Sequence, residues 1–154
     1  FSRGSVWKYL DDGSDQGTAW IAPSFDDSAW TNGPAQLGYG DGDEATVVNG
    51  GSSAARTPTI YFRHKFNVAN PATYQTLTLR MKYDDGFAAY LNGALVAWRN
   101  APAEVLWNSA ATTYNPDGAA LTGEELNISG SIGATYQSLP KANTAPASSS
   151  DWNA

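Results

Sequence analysis

Apolar and polar residues alternate along three stretches of the chain, which is the pattern expected of half-buried β-strands. The first stretch is residues 6–10, the second is residues 60–68 and the third is residues 77–83. A fourth short apolar segment, residues 126–128, is predicted as one more strand. The sequence shows neither a convincing amphipathic helix nor an internal repeat. The pattern therefore predicts an all-β protein.

The strand predicted at residues 60–68 decides how the single histidine is interpreted. Its apolar face is expected to carry Ile60, Phe62, His64, Phe66 and Val68, and its other face Tyr61, Arg63, Lys65 and Asn67. A histidine on an apolar face is usually a hydrogen-bonded residue of the core or of the sheet edge. We interpret His64 in that way, and a catalytic role is the alternative interpretation.

A β-hairpin is predicted over residues 83–96, and it organises the rest of the chain. An apolar run, residues 87–91, leads into Asn92-Gly93, a dipeptide that favours the positive φ angles of a type I′ turn. The return strand is predicted at residues 95–98. Asp84 and Asp85 precede the first strand, and the return strand ends in an aromatic and basic cluster, which consists of Trp98, Arg99 and Asn100.

The composition agrees with an all-β domain that has many turns. The chain has 154 residues, of which 42% are hydrophobic and 16% are charged, with 15 glycines, 8 prolines, 6 tryptophans and 8 tyrosines. The length fits one domain. We predict one domain over residues 1–132. From residue 133 onward the periodicity ends, and residues 133–154 are predicted to be a linker or a loosely ordered C-terminal tail.

The charge and the missing cysteines exclude several classes of function. The net charge is −6, which argues against nucleic acid and against anionic membranes as partners. No apolar run is long enough for a transmembrane helix, so no membrane insertion is expected. The chain has no cysteine, which excludes disulfides, cysteine-ligated metals and thiol chemistry. Neutral ligands and cations remain compatible with this surface.

Two acidic, glycine-rich loops are candidates for a calcium site. Residues 11–17 include Asp11 and Asp15, and a second loop includes Asp41 and Asp43. Ca²⁺ takes six to eight oxygen ligands, and carboxylate-rich loops supply such oxygens. The spacing is not that of an EF-hand. The alternative interpretation is that both loops are ordinary solvated turns.

Several motifs, taken in their order along the chain, resemble the galactose-binding-like β-sandwich family. The motifs are Phe25-Asp26-Asp27-Ser28-Ala29-Trp30, then Leu37-Gly38-Tyr39-Gly40, then Tyr61-Phe62-Arg63, and finally Asp84-Asp85-Gly86 with Tyr90-Leu91-Asn92-Gly93. The resemblance covers roughly residues 5–130. It implies a jelly-roll β-sandwich, frequently with a structural Ca²⁺ and a carbohydrate-binding role, as an appendage of a large secreted bacterial protein.

The chain departs from that family in two places. Residues 131–147 lack an apolar strand that family members usually have near the C-terminus, so either the sheet is incomplete or the chain ends early. The family also often has a basic residue at the position of Trp98.

A sugar site needs a flat aromatic ring for the C–H face of the sugar and planar polar side chains for its hydroxyl groups. Trp98, Arg99 and Asn100 offer these types at one strand end, and Trp107 follows a short loop later. We predict these four residues as the carbohydrate-binding site. The alternative interpretation is that Trp98, which shares a face with Val96 under strict alternation, packs inside the sandwich and that Trp107 covers its edge.

The pair Asp84-Asp85, followed by the Asn-Gly hairpin, also resembles PA14-type adhesin domains. In those domains a paired aspartate holds Ca²⁺, and the ion binds sugar hydroxyl groups. The resemblance therefore implies a second candidate carbohydrate site at Asp84 and Asp85. An ordinary turn with exposed carboxylates is the alternative.

Three functions follow from the sequence. The first is a noncatalytic carbohydrate-binding module for a polysaccharide or oligosaccharide, extracellular and monomeric, within a larger secreted or cell-surface protein. The second is a structural or adhesion module without a sugar site of its own. The third is a small glycan hydrolase, which the sequence favours least because it lacks a nucleophile-elbow or phosphate-loop motif.

Overall fold

Short β-strands make up almost all of the regular structure in this computed structural model, which describes residues 1–2, 4–40, 42–74, 76–79, 81, 83–115 and 126–129. The strands of this described part are Val6–Leu10 (β1), Thr31–Pro34 (β2), Leu37–Gly38 (β3), Thr46–Val47 (β4), Gly51–Ser52 (β5), Ala55–Arg56 (β6), Tyr61–Arg63 (β7), Thr76–Leu79 (β8), Phe87–Leu91 (β9), Ala94–Arg99 (β10) and Leu126–Ser129 (β11). Two single-turn 3-10 helices, Ala19–Ile21 and Pro71–Thr73, complete it. The prediction of an all-β protein is confirmed. The predicted tail, residues 133–154, lies outside the described residues.

β1 is the central strand of a three-stranded antiparallel sheet in the order β2–β1–β7. Trp7 of β1 pairs with Gly33 of β2, and Tyr9 pairs with Phe62 of β7. Pro34 ends β2 at the edge of the sheet, where its missing N–H costs no ladder hydrogen bond. The strand predicted at residues 6–10 is confirmed with the same bounds.

The packing of β7 reverses the face that alternation was expected to bury. Tyr61 is only 6% exposed, whereas Phe62 is 36% exposed. The Tyr61 ring centroid lies 5.0 Å from that of Trp20 and 6.0 Å from that of Trp30. The face prediction was wrong because alternation fixes the period of a strand but not which of its faces meets the rest of the chain.

An ion pair between Asp27 and Arg63 fastens the segment before β2 to β7. Arg63 Nε lies 2.9 Å from Asp27 Oδ2, and both side chains are 11% exposed. The guanidinium also donates to the carbonyl oxygens of Trp20 and Ala22. Burial raises the pKa of Asp27, but hydrogen bonds from Arg63 and Lys65 lower it by more, so its pKa lies below the ordinary value of 3.8. The aspartate of the Phe-Asp-Asp motif therefore has a structural role.

The other side of the sheet carries a cluster of aromatic rings around His64. The strand predicted at residues 60–68 is shorter than expected, since β7 covers only Tyr61–Arg63. The Nδ1 atom of His64 donates a hydrogen bond to the carbonyl oxygen of Val6 at 3.0 Å, and its ring lies 5.0 Å from that of Trp7. The interpretation of His64 as a hydrogen-bonded residue of the sheet is thus confirmed.

The central hairpin consists of β9 and β10, joined by the turn that the sequence predicts. Asn92 has a φ of 51° and Gly93 a φ of 87°, and Leu91 pairs with Ala94 across the turn. The return strand is one residue longer at each end than the predicted residues 95–98. The hairpin therefore has a closed end at the turn and an open end near Gly86.

Three further strand pairs complete the described part. β8 and β11 are antiparallel, with Leu77 opposite Ile128, so the strand predicted at residues 126–128 is confirmed and the one predicted at residues 77–83 is shorter than expected. β3 and β4 are parallel, and β5 and β6 form a small hairpin. Within the described residues, no helix has the length and apolar character needed to cross a membrane.

Candidate functional site

The open end of the β9–β10 hairpin brings together the two carbohydrate-binding candidates that the sequence predicts separately. Asn100, which follows β10, donates from Nδ2 to the carbonyl oxygen of Asp85 at 2.9 Å. Asn100 has a φ of 49°, which asparagine tolerates better than most residues. The Asp84-Asp85 peptide bond is cis, Asp84 is exposed and Asp85 is half-buried. The strand-end cluster and the aspartate pair thus lie together at the open end of the hairpin.

Gly86 is the reason that the two chain segments can approach so closely. A Cβ atom at this position would lie 2.6 Å from the carbonyl oxygen of Asn100 and 2.9 Å from that of Arg99. Side-chain contacts of this kind are too short, and the obstructing atoms belong to the backbone. The glycine therefore allows the open end of the hairpin to close on itself.

Asn115 brings a third chain segment to the same place. Its backbone N–H donates to Oδ1 of Asp85 at 2.9 Å, and its Nδ2 donates to the carbonyl oxygen of Tyr83 at 2.7 Å. The sequence analysis did not identify Asn115. The only signal there is the Asn-Pro dipeptide, which indicates a turn but does not reveal that the turn returns to Asp85.

Trp98 and Arg99 are both half-buried and hydrogen-bonded within the protein, which the sequence did not indicate. Trp98 is half-buried and donates its indole N–H to the carbonyl oxygen of Pro102 at 3.1 Å. Arg99 is half-buried, and its Nη1 donates to the carbonyl oxygen of Trp98 at 2.7 Å. Strict alternation does not hold in β10, because the register shifts between Leu95 and Ala97. The expectation that Trp98 shares a face with Val96 is therefore wrong.

Trp107 lies on a tight turn and is 39% exposed. The turn, residues 106–109, is closed by a hydrogen bond from the backbone N–H of Ser109 to the carbonyl oxygen of Leu106 at 3.0 Å. The Ser109 hydroxyl accepts in return from the N–H of Leu106 at 2.9 Å. Of the two predicted tryptophans, Trp107 is the more exposed.

The carboxylates of the acidic loops accept hydrogen bonds from other residues of the protein. Oδ2 of Asp11 accepts from the N–H of Asn49 at 2.6 Å, and Oδ1 of Asp15 accepts from the N–H of Gly17 at 2.7 Å. Oδ1 of Asp43 accepts from Gln36 at 3.2 Å, and Asp41 lies outside the described residues. In the described part of the chain, no group of three or more histidine, aspartate or glutamate side chains is placed to hold a metal ion.

Asp12, in the loop that follows β1, accepts hydrogen bonds of the same kind. Oδ1 of Asp12 accepts both the N–H and the hydroxyl of Ser14, at 2.9 and 2.6 Å, in an Asx-type turn. These two hydrogen bonds lower the pKa of Asp12 below its ordinary value. A carboxylate that is satisfied in this way stabilises its own loop.

The chain matches no family model, and it matches neither a curated protein nor a solved structure at a significant level. The site is therefore interpreted from its own geometry.

Proposed function

We propose that this protein is a noncatalytic carbohydrate-binding module, with its site at the open end of the β9–β10 hairpin. The observation that carries the proposal is the hydrogen bond from Asn100 to the carbonyl oxygen of Asp85 at 2.9 Å. This bond joins the strand-end cluster to the aspartate pair. It brings a carboxylate-bearing segment and an amide side chain together, and the loop that carries Trp107 begins directly after Asn100.

The residues of the site have the chemistry that sugar recognition requires. The carboxylates of Asp84 and Asp85 accept hydrogen bonds from sugar hydroxyl groups, and an asparagine amide both donates and accepts them. The exposed ring of Trp107 offers a surface for the C–H face of a sugar. Arg99 directs one nitrogen to the carbonyl oxygen of Trp98, and the chain carries a net charge of −6. These features favour a neutral glycan over an acidic one.

The resemblance to galactose-binding-like domains supports the same proposal at the level of the fold. The described strands are compatible with a jelly-roll β-sandwich, which we propose as the arrangement of the whole domain. On this proposal the domain is a monomeric, extracellular module, tethered to other domains of a larger protein. Its affinity is expected to be modest, with a Kd on the order of micromolar to millimolar.

The residues at the open end of the hairpin provide oxygen atoms of the kind that a hard cation binds. Because Asn100 donates from Nδ2 to the backbone carbonyl of Asp85, its Oδ1 is the acceptor end of the amide. Carboxylate, amide and backbone oxygens are the ligands that Ca²⁺ prefers. When bound, such an ion supplies coordination to sugar hydroxyl groups. A structural calcium at Asp11, Asp15, Asp41 and Asp43 stays a prediction.

A structural or adhesion module is the second candidate, and one observation favours it. Several apolar side chains of the loop between Asn100 and Asn115 are exposed to solvent; they belong to Val105, Leu106, Trp107 and Tyr114. An exposed apolar surface of this kind also suits contact with a protein partner. On that alternative, the loop contacts a protein and the polar cluster only shapes the loop.

A binding screen against a glycan array, run with Ca²⁺ and again with EDTA, tests the proposal. We expect Trp107→Ala to abolish glycan binding without loss of fold. The matched control is Tyr39→Ala, since Tyr39 has a similar exposure of 41% and lies on another loop. Equal loss in both variants would indicate a general effect of removing surface aromatics, and would count against the site.

The EDTA arm distinguishes the possible roles of the ion. Binding that persists in EDTA supports recognition by Trp107 and the polar side chains alone. Binding that is lost in EDTA, while the circular dichroism spectrum stays unchanged, assigns a bridging ion to the hairpin end. Absence of glycan binding in both conditions would contradict the proposed function and favour the structural module.

A further inference from the structure

The loop that carries Trp107 begins and ends at residues that are hydrogen-bonded to Asp85. It begins after Asn100, whose side chain donates to the carbonyl oxygen of Asp85, and it ends at Asn115, whose N–H donates to Oδ1 of Asp85. The N–H of Thr112 also donates to the carbonyl oxygen of Asn100 at 2.6 Å. Residues 101–114 therefore form a surface loop whose ends are fastened to one residue.

The tip of this loop is fastened to a different part of the protein. The hydroxyl of Thr59, two positions before β7, lies 3.0 Å from the carbonyl oxygen of Ser109 and 3.3 Å from that of Leu106. These two carbonyls belong to the first and last residues of the turn that presents Trp107. Thr59 is the only described residue outside the loop that bonds to both ends of this turn.

The apolar side chains at the tip of the loop are incompletely buried. The side chains of Val105, Leu106 and Trp107 are all exposed. A loop with few buried apolar contacts depends on its hydrogen bonds for a defined position. The Thr59 hydroxyl is therefore well placed to limit how far the turn moves relative to the sheet.

We propose that Thr59 is a positioning residue of the glycan site, which fixes the turn that presents Trp107 relative to the cluster at Asp85. This inference rests on the proposed function, because it concerns the same site. A binding site needs its aromatic and polar groups in a fixed relation, since ordering a mobile loop on binding lowers the affinity. Thr59 itself makes no contact with the sugar on this proposal.

Two variants of the full chain test the inference. Thr59→Val keeps the shape of the side chain and removes the hydroxyl, whereas Thr59→Ser keeps the hydroxyl. Thr57→Val is the matched control, because the hydroxyl of Thr57 makes no hydrogen bond within the described part of the chain. Each variant is compared with the wild type by amide hydrogen exchange of Leu106 and Ser109. Each is also titrated with the neutral oligosaccharide that gives the strongest wild-type array signal.

We expect Thr59→Val to speed exchange at Leu106 and Ser109 and to weaken oligosaccharide binding by about three- to tenfold, the effect of one lost hydrogen bond. Thr59→Ser restores both properties, and Thr57→Val changes neither. Should Thr59→Val fail to fold, Thr59→Ala removes the same hydroxyl with a smaller side chain and leaves the hydrogen bond between Leu106 and the Ser109 hydroxyl in place.

The outcomes separate this inference from the proposed function. Unchanged exchange in Thr59→Val would show that Thr59 does not hold the turn. Faster exchange with unchanged affinity would show that the position of the turn does not matter for binding. Either result overturns the inference and leaves the proposed function standing. A wild-type protein that binds no oligosaccharide overturns both.

Discussion

Arg63 and Asp27 are joined by a hydrogen-bonded ion pair of 2.9 Å, although they lie 36 positions apart in the sequence. The pair is largely shielded from water, and the same guanidinium satisfies the carbonyl oxygens of Trp20 and Ala22. The Phe25 ring lies under the guanidinium at 5.2 Å. One side chain thus holds the aromatic segment before β2 against the sheet.

We expect Arg63→Met to lower the free energy of unfolding by about 3–5 kcal/mol, because it leaves the carboxylate of Asp27 buried without its main partner. Urea denaturation followed by circular dichroism measures the change. Lys65→Met is the control, since Lys65 contacts the same carboxylate but is 64% exposed. Its expected loss is at most about 1 kcal/mol. Equal losses in the two variants would contradict the structural role of the Arg63 contact.

The stability of the protein is expected to decrease in acid partly because of Asp27. Its pKa is lower in the folded protein than in the unfolded chain, so its contribution is complete above the unfolded value of 3.8 and is lost as the pH falls through the folded value. The Asp27→Asn variant lacks this titration. We expect the difference in unfolding free energy between wild type and Asp27→Asn to shrink between about pH 5 and about pH 2. A constant difference over that range would contradict the prediction.

The two tryptophans of the predicted site are expected to respond differently to substitution. Trp98→Ala removes a half-buried ring and the hydrogen bond to Pro102, so we expect it to destabilise the fold by about 2–4 kcal/mol. Trp107→Ala removes an exposed ring and is expected to change stability by less than about 0.5 kcal/mol while it abolishes glycan binding. Thermal unfolding and glycan titration of both variants check this. A stable Trp98→Ala protein with no glycan binding would instead make Trp98 a ligand contact.

The close approach at Gly86 gives a prediction for the open end of the hairpin. We expect Gly86→Ala to lower the free energy of unfolding by about 1–3 kcal/mol and to weaken glycan binding. The new methyl group would lie too close to backbone oxygens, which cannot move without a shift of the backbone. Gly38→Ala is the matched control, since its methyl group would meet only the side chain of Glu44 at 3.4 Å. Denaturation and glycan titration of both proteins measure the effects. If Gly86→Ala binds as the wild type does, the segments at Asp85 and Asn100 do not need to be so close.

Local patterns in the sequence predicted the elements that depend on neighbouring residues. The strand at residues 6–10 and the type I′ turn at Asn92-Gly93 follow from alternation and from backbone preference, and both are confirmed. The face of β7 that is buried was predicted wrongly. That choice depends on Trp20 and Trp30, which reach β7 only after the chain has folded.

In the candidate site too, the sequence indicated only those residues whose position follows from a local pattern. Asp85 and Asn100 stand out because they flank a hairpin that the sequence identifies. Asn115 and Thr59 act through hydrogen bonds to segments far away in the sequence, and no periodicity indicates such contacts. The register shift in β10 was also invisible, because a bulge leaves no mark in a run of apolar residues.

The open end of the hairpin also sets an order in which the site can assemble. Asp85 and Asn100 are 15 positions apart, and Asp85 and Asn115 are 30 positions apart. Once the Asn92-Gly93 turn has brought the first two together, the last contact closes only the loop that begins at Asn100. Halving the length of a loop in this way lowers the entropic cost of closing it by about 0.6 kcal/mol. The turn at one end of the hairpin therefore lowers the entropic cost of assembling the proposed binding site at the other end.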